Sequence, residues 1–460
     1  MAKEHILVIG AGLCGTMLGL RLAQLGYQVD LVEKRPDLRK NQLSAGRSIN
    51  LAFSDRGMKG IKLVGLQDKV TPLCIPMHGR MLHDKEGNTV LSKYSGRPEE
   101  YINSISRSGL NAVLLDEAEK HENLRLHFNF ECKKVDLKSS KAIFINNENQ
   151  NELTIEADFL IGTDGAGSVV RKAMMNERDF LFSYSRNFLT HGYKELSFPP
   201  TKDGNFATEK GALHIWPRGE NMIIALPNLD KSFTVTLFLA YEGGDYNFNN
   251  LTNPRIVREY FEKYYPDALD LMPDLEKDFF ENPTAPLGTV KCSPWHIHQS
   301  LIMGDAAHAI VPFYGQGMNA SFEDVVVFDE ILHRENFDFQ KSIEAFSKER
   351  KIDADAIADL ALDNFHEMKS HTASELFLAK RKLEVAFETE LPREYSSKYS
   401  LVTFEEHIPY HQAMQRGRAQ DKAILQLLRE NAFDENEALM TKLDKVKERT
   451  EKILADEILL

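Results

Sequence analysis

The sequence has little cysteine, no long apolar run and no excess of basic charge, and each shortage removes a class of function. The four cysteines, Cys14, Cys74, Cys132 and Cys292, lie far apart, with neither the pairing of a redox motif nor the clustering of a zinc site. They read as buried thiols in a reducing compartment, which points to the cytoplasm. No uncharged stretch approaches the ~18 residues that a membrane span needs, and no charged-then-apolar leader precedes the first strand at Ile6. With 56 basic against 69 acidic side chains the net charge is −13, so general nucleic-acid binding, which needs a basic face, is disfavoured. What remains is 460 residues of ordinary soluble composition, enough for two or three domains with sizeable cores.

The chain is organised around Gly304-Asp305-Ala306-Ala307-His308, continuing through Pro312-Phe313-Tyr314-Gly315-Gln316-Gly317-Met318-Asn319. The apolar run Ser300 to Met303 reads as a buried strand ending on a Gly-Asp pair, followed by a turn rich in proline and glycine. A helix then begins, because Met318, Phe322, Val325, Val326 and Leu332 recur at helical spacing. Its first backbone N–H groups face whatever lies against Gly315 and Gly317, a place for an electron-rich or anionic group or a flat ring.

The opening residues carry a second motif. A strand at Ile6 to Ile9 leads into Gly10, Gly12 and Gly15, a helical pattern through Leu25, and a second strand from Val29 to Val32 that ends on Glu33. Strand, glycine turn, helix, strand and an acid about 20 residues on form a dinucleotide fingerprint in its proper setting. Glu33, with no basic residue in its place, suits an unphosphorylated adenosine ribose, as in FAD or NAD. Arg47 follows soon after, where a cation could reach a cofactor phosphate or the flavin edge.

Short strands with turns fill Met77 to Ser104, Arg107 opens an amphipathic helix, and a buried strand at Phe159 to Gly162 runs into Asp164-Gly165. The runs Ala212–Trp216, Met222–Leu226 and Phe233–Leu239 read as a mostly antiparallel sheet, and from Phe339 onward the pattern is helical. The sheet is therefore inserted into the nucleotide unit.

Gly10 to Gly15, Asp164-Gly165 and Gly304-Asp305, in that order, resemble the FAD-dependent aromatic hydroxylases. Further stretches narrow the resemblance to the kynurenine 3-monooxygenase family: Gly46 to Ala52, His78 to Met81, His191 to Leu196, Leu213 to Pro217, Ala225 to Asn228 and Val311 to Asn319. The similarity runs from about residue 4 to about residue 430. It implies an α/β protein: an FAD-binding, Rossmann-like doubly wound domain (residues 1–75, 105–180 and 290–350), an inserted, mostly antiparallel substrate-binding sheet (76–104 and 181–289) and a C-terminal helical region (351–460). It also implies that NADPH reduces bound FAD, that dioxygen forms a flavin C4a-hydroperoxide, and that one oxygen passes to ring position 3 of L-kynurenine. The aniline is already electron-rich, so no general base is expected.

Carried over by position, the resemblance puts the substrate carboxylate on Arg80, Tyr94, Asn364 and Tyr399, with Pro312, Phe313, Gln316 and Met368 around the ring. FAD would take Glu33 at the ribose, Arg107 and Asp305 along the ribityl and phosphate region, and Asp164-Gly165 as the shared nucleotide motif, beside Gly315, Gly317, Met318 and Asn319. No metal is expected. NADPH has no second fingerprint of its own, so the resemblance places none of its contact residues, and Arg47 stays a candidate cofactor contact. Tyr314 departs from relatives that carry histidine or phenylalanine there, and the charged tail from Met440 replaces the hydrophobic anchor of eukaryotic members, as in a bacterial-type soluble form. Two other functions fit the motifs: a flavin hydroxylase of another aromatic acid, and an FAD-containing redox sensor that makes no product.

Overall fold

The chain divides into two compact units, and it passes from one to the other repeatedly. The first holds residues 1–74, 105–188 and 288–358; the second holds 75–104, 189–287 and 359–460. The computed structural model describes residues 3–40, 50–370 and 375–458, and the side chains of all of these except 368–370 and 457–458.

The first unit is built on a six-stranded sheet whose central strand is His5–Ile9. Ile6, Leu7, Val8 and Ile9 are all buried, the continuous apolar run expected of a parallel strand covered on both faces. On one side it pairs in parallel with Phe159–Gly162, which pairs with Ser300–Ile302; on the other it pairs with Gln28–Val32 and then Leu124–His127. The glycine turn, the Asp164-Gly165 turn and the Gly304-Asp305 turn each follow one of three adjacent strands. Parallel pairing thus brings all three motifs to the carboxyl ends of neighbouring strands, where an open α/β sheet binds its ligand. Helix Leu13–Gln24 packs on this sheet, its Gly19 leaving room for Leu31 and Val29. Helix Gly317–Arg334 buries Phe322, Val325 and Phe328, and it ends with His333 and Arg334 at the negative end of its dipole. A three-stranded antiparallel sheet, Phe130–Asp136, Lys141–Asn146 and Glu152–Glu156, completes the unit.

The second unit carries most of a seven-stranded sheet in which Phe233–Ala240, Asn221–Pro227 and Ala212–Arg218 run antiparallel, while Gly79–His83 joins Ala212–Arg218 in parallel. Its core of Phe198, Trp216, Ile223, Val235 and Leu237 is closed by Val257, Tyr260 and Phe261 from helix Pro254–Tyr264. Along that helix Ile256, Val257, Tyr260, Phe261 and Tyr264 recur at helical spacing; Asn253 caps the N–H of Ile256 at 3.1 Å, and Pro254 sits where a helix tolerates it. The C-terminal helices belong to this unit, and helix Leu439–Ile458 buries Leu443, Val446 and Ile453 with Ala423 and Leu427 of helix Tyr410–Arg429. Among the described residues no helix is long and apolar enough to cross a membrane.

One buried histidine gives the second unit an acid sensitivity. His214 lies with Nε2 2.7 Å from the Glu209 carbonyl and Nδ1 2.9 Å from Nε2 of His83; burial first, then the neighbouring His83, pushes its pKa down to about 4. The unfolded chain binds this proton more readily. The stability that His214 contributes is therefore complete above its ordinary value near 6.5 and is lost as pH falls towards about 4. Thermal melting followed from about pH 7 to about pH 4 is expected to decline more steeply for the natural protein than for His214→Gln. Equal slopes would assign the acid response to other groups.

Candidate active site

At the first glycine turn the three glycines do different work. Gly10 has a φ of +105°, and a Cβ there would lie 2.6 Å from the Thr163 carbonyl oxygen; a Cβ on Gly15 would lie 1.9 Å from the Gly10 oxygen. The protein's own packing demands both. Gly12 begins helix Leu13–Gln24 at a φ of −71° with no side-chain cap, and nothing lies within 4 Å of where its Cβ would be. Open space at an uncapped helix N-terminus is what a pyrophosphate requires. Gly15→Ala is thus expected to lower the melting temperature of the flavin-free protein. Gly12→Ala should leave it unchanged and weaken flavin binding at least about tenfold, roughly the loss of one charge-assisted hydrogen bond. Equal effects on the flavin-free protein would refute this division.

Glu33 follows strand Gln28–Val32 and is held in place at both oxygens: Oε2 accepts from the Ala11 N–H at 3.0 Å and Oε1 from Arg35 Nε at 2.7 Å. Asn111, which no sequence motif marked, donates from Nδ2 to the Ala11 carbonyl at 3.0 Å, while its buried Oδ1 has no hydrogen-bond partner among the described residues. Asp164 Oδ2 accepts from the Val169 N–H at 2.6 Å and so caps helix Val169–Met175, leaving its buried Oδ1 equally unpartnered. Burial raises the Asp164 carboxyl above its ordinary pKa. Gly165 needs its φ of +80° and meets nothing within 4 Å. An open cradle beside two orphaned oxygen acceptors fits a ligand with a pyrophosphate and hydroxyl donors, as FAD has.

Asp305 is exposed to solvent yet closely surrounded, and its carboxyl is pushed up by that enclosure, against the opposing pull of Arg107 and His308. The turn beneath it rests on a buried charge network that the sequence did not announce. Asp324, on helix Gly317–Arg334, accepts from the Gly304 N–H at 3.0 Å, meets His308 Nε2 at 2.6 Å and accepts from Arg350 Nε at 2.8 Å. Burial alone would raise the Asp324 pKa, but His308 and Arg350 outweigh it and hold the carboxyl below the usual range. Arg350 also donates to Glu323 at 2.9 Å, and Glu323 accepts from Arg56 at 2.6 Å.

The turn at Pro312–Tyr314 is a single helical turn with Phe313 and Tyr314 buried, and Gly315 leaves it with a φ of +69°. Gln316 starts the long helix with no side-chain cap, so the N–H groups at Gly317 and Met318 begin it uncapped. A Cβ on Gly317 would meet only Ile310, at 3.7 Å, so no neighbour excludes one. The Asn319 side chain is committed to the protein: its Nδ2 donates to the Ala52 and Gly315 carbonyls at 2.9 Å each, and its Oδ1 accepts from the Ser54 N–H at 3.0 Å. Any contact from Asn319 to a flavin falls to its backbone.

In the second unit three side chains come together. Tyr94 and Tyr399 stack with ring centroids 5.1 Å apart and an interplanar angle of 9°. The Arg80 guanidinium lies 5.5 Å from the Tyr94 centroid and 4.8 Å from that of Tyr399. Stacking on aromatic rings fixes the plane of a guanidinium, whose N–H fork matches a carboxylate. Burial pushes both phenols above their ordinary pKa, in Tyr94 helped by Tyr399 and opposed by Arg80, so both remain hydroxyl donors at neutral pH. The Tyr94 hydroxyl is buried with no partner of hydrogen-bonding geometry among the described residues, Arg80 acting on it through its charge. Asn364 is buried on helix Lys351–Ser370 of the same chain segment. Met368 follows on that helix, but its side chain, like all of Arg47, lies outside the described residues. No group of three or more potential metal ligands occurs among them.

The chain is similar to known proteins along most of its length. Residues 3–335 match the family described as "FAD binding domain". A protein of Legionella pneumophila (strain Corby) described as kynurenine 3-monooxygenase is 41% identical over 451 residues, covering 96% of this chain and 98% of the relative. Kynurenine 3-monooxygenases of Flavobacterium johnsoniae and Sus scrofa are 43% and 42% identical, each covering 92% of this chain and 94% and 88% of the relative. Among solved structures, 2-methyl-3-hydroxypyridine-5-carboxylic acid oxygenase superposes with a TM-score of 0.66 at 19% identity, covering 86% of this chain and 99% of that one. A p-nitrophenol 4-monooxygenase from Pseudomonas putida does so at 0.65 and 16%, covering 84% and 94%. The chain belongs to the kynurenine 3-monooxygenase family of FAD-dependent aromatic hydroxylases.

Proposed function

We propose that this protein hydroxylates L-kynurenine at ring position 3, with FAD bound, NADPH as reductant and dioxygen as the oxygen source. The observation that carries this reading is the second-unit clamp, a guanidinium faced by two stacked tyrosines with an unpartnered buried hydroxyl beside it. A planar cation with neutral hydroxyl donors is chemistry for an amino-acid carboxylate. The relatives' names supply the amino acid.

FAD, when bound and reduced, supplies activated oxygen; the chain's own groups bind and orient. Glu33 holds the adenosine ribose, the Gly12 cradle takes the pyrophosphate, and Arg107, Asp164, Gly165 and Asp305 serve the rest of the chain of hydroxyls and phosphates. Gly315, Gly317 and Met318 present backbone at the flavin ring, where N–H groups at a helix N-terminus stabilise negative charge. Arg80, Tyr94, Tyr399 and Asn364 take the substrate carboxylate, and Pro312, Phe313, Gln316 and Met368 meet its ring. No side chain acts as general base, because the aniline nitrogen already activates the carbon beside it. Four free thiols suit a reducing, cytoplasmic setting.

The decisive experiment incubates FAD-loaded protein with L-kynurenine, NADPH and air and weighs the product. A gain of one oxygen at ring position 3, with NADPH oxidation stimulated by kynurenine, is the expected result. No product, or stronger stimulation by anthranilate or 4-hydroxybenzoate, would replace kynurenine with another aromatic acid.

A further inference from the structure

The two tyrosines of the clamp sit on separate pieces of chain, Tyr94 just after strand Thr89–Lys93 and Tyr399 in helix Lys398–Thr403, and the pieces meet directly where Arg97 donates to the Tyr395 carbonyl at 3.0 Å and to Ser396 Oγ at 3.1 Å. Both are fastened to one helix, Glu375–Glu390, through Glu388, whose carboxylate is 0% exposed. Oε2 accepts from the Gly96 N–H at 3.1 Å, two residues beyond Tyr94. Oε1 accepts from the Ser397 N–H at 2.9 Å and from the Ser400 hydroxyl at 2.8 Å, the two sides of Tyr399. One carboxylate therefore spans both tyrosine-bearing segments. From the same helix Arg381 donates to the Lys93 and Tyr94 carbonyls at 2.8 and 2.6 Å. The fit is close: a Cβ on Gly96 would lie 2.5 Å from the Thr389 nitrogen and 2.6 Å from the Val385 oxygen.

We infer that Glu388 is a positioning residue for substrate specificity, setting the spacing of Tyr94 and Tyr399 around Arg80 and hence the grip on a carboxylate. This rests on the function proposed above. A buried carboxylate surrounded by donors is satisfied only as an acceptor at both oxygens. Glu388→Gln keeps the shape but turns an amide NH2 towards either Gly96 N–H or the Ser397 and Ser400 donors, so one tyrosine segment must shift.

The test compares L-kynurenine with 2-aminoacetophenone, which keeps the ring, amine and ketone but lacks the amino-acid end. Dissociation constants come from the change in flavin absorbance of FAD-loaded protein. Glu388→Gln is expected to weaken kynurenine at least about tenfold while 2-aminoacetophenone stays within about twofold and FAD remains bound. Gly96→Ala, which pushes the same turn away without touching any charge, should do the same. Parallel loss of both ligands, kynurenine binding unchanged in either variant, or loss of FAD or folding in both would overturn the inference, since it claims a local device. Natural protein that binds no kynurenine would instead overturn the proposed function.

Discussion

Replacing Arg80 by alanine is expected to lower kcat/KM for kynurenine by about 100-fold or more, chiefly through KM, while FAD content stays normal. Removing the cation leaves a buried carboxylate facing two phenols with no charge to match it. A hydrogen-bonded charge of this kind is worth roughly 2–3 kcal/mol or more, and each 1.4 kcal/mol is tenfold. A second effect follows from loose positioning: NADPH oxidation continues while less of it yields hydroxylated product, the remainder appearing as hydrogen peroxide. Arg80→Lys should fall between, because an ammonium keeps the charge and loses the planar fork stacked on Tyr94 and Tyr399. Steady-state kinetics with peroxide quantification check this. Arg80→Ala protein that has lost its flavin would move Arg80 from the substrate to the cofactor.

Asp324→Ala should be the most destabilising single change in the first unit. It removes the carboxylate shared by Gly304, His308 and Arg350 and leaves the buried Arg350 guanidinium chiefly to Glu323, which Arg56 already shares. Breaking one partner out of a buried ion pair costs about 3–5 kcal/mol, a fall of about 5–10 °C in melting temperature for a unit of this size. Because Asp324 also holds the Gly304 N–H, the turn proposed to bind flavin should loosen with it, and FAD should be lost more readily on dilution. Calorimetry of flavin-free and FAD-loaded protein separates the two effects. A melting temperature within 2 °C, on the order of one surface substitution, would show that the network is dispensable.

Sequence pattern carried the first unit well because its strands are buried on both faces and each ends in a glycine motif, so period and punctuation agree at Ile6–Gly15, Phe159–Gly165 and Leu301–Asp305. The edge strands Phe130–Asp136 and Glu152–Glu156 were less visible, since mixed polar and apolar residues give short elements no distinctive period, whereas helix Pro254–Tyr264 carried a helical period at Ile256, Val257, Tyr260, Phe261 and Tyr264 that went unread. At the site, motifs named the residues proposed to face ligand. They were silent on Asn111, Asp324, Arg350 and Glu388, whose importance lies in partners far away in the chain: Glu388 meets Gly96, and Arg350 meets Asp324. A lone polar residue inside a helical pattern carries no local mark of that kind.

The repeated passage between units also governs how the protein can be made. A nascent chain of the first 290 residues already contains the entire glycine fingerprint. It lacks strand Ser300–Ile302, beside Phe159–Gly162 in the sheet, and helix Gly317–Arg334, which packs against helix Leu13–Gln24. The nucleotide-binding half therefore has to wait, apolar faces uncovered, until translation has passed Ala358, since Phe339, Ile343 and Phe346 share its core and Arg350 pairs with Asp324, and no amino-terminal fragment short of that point is a self-sufficient module.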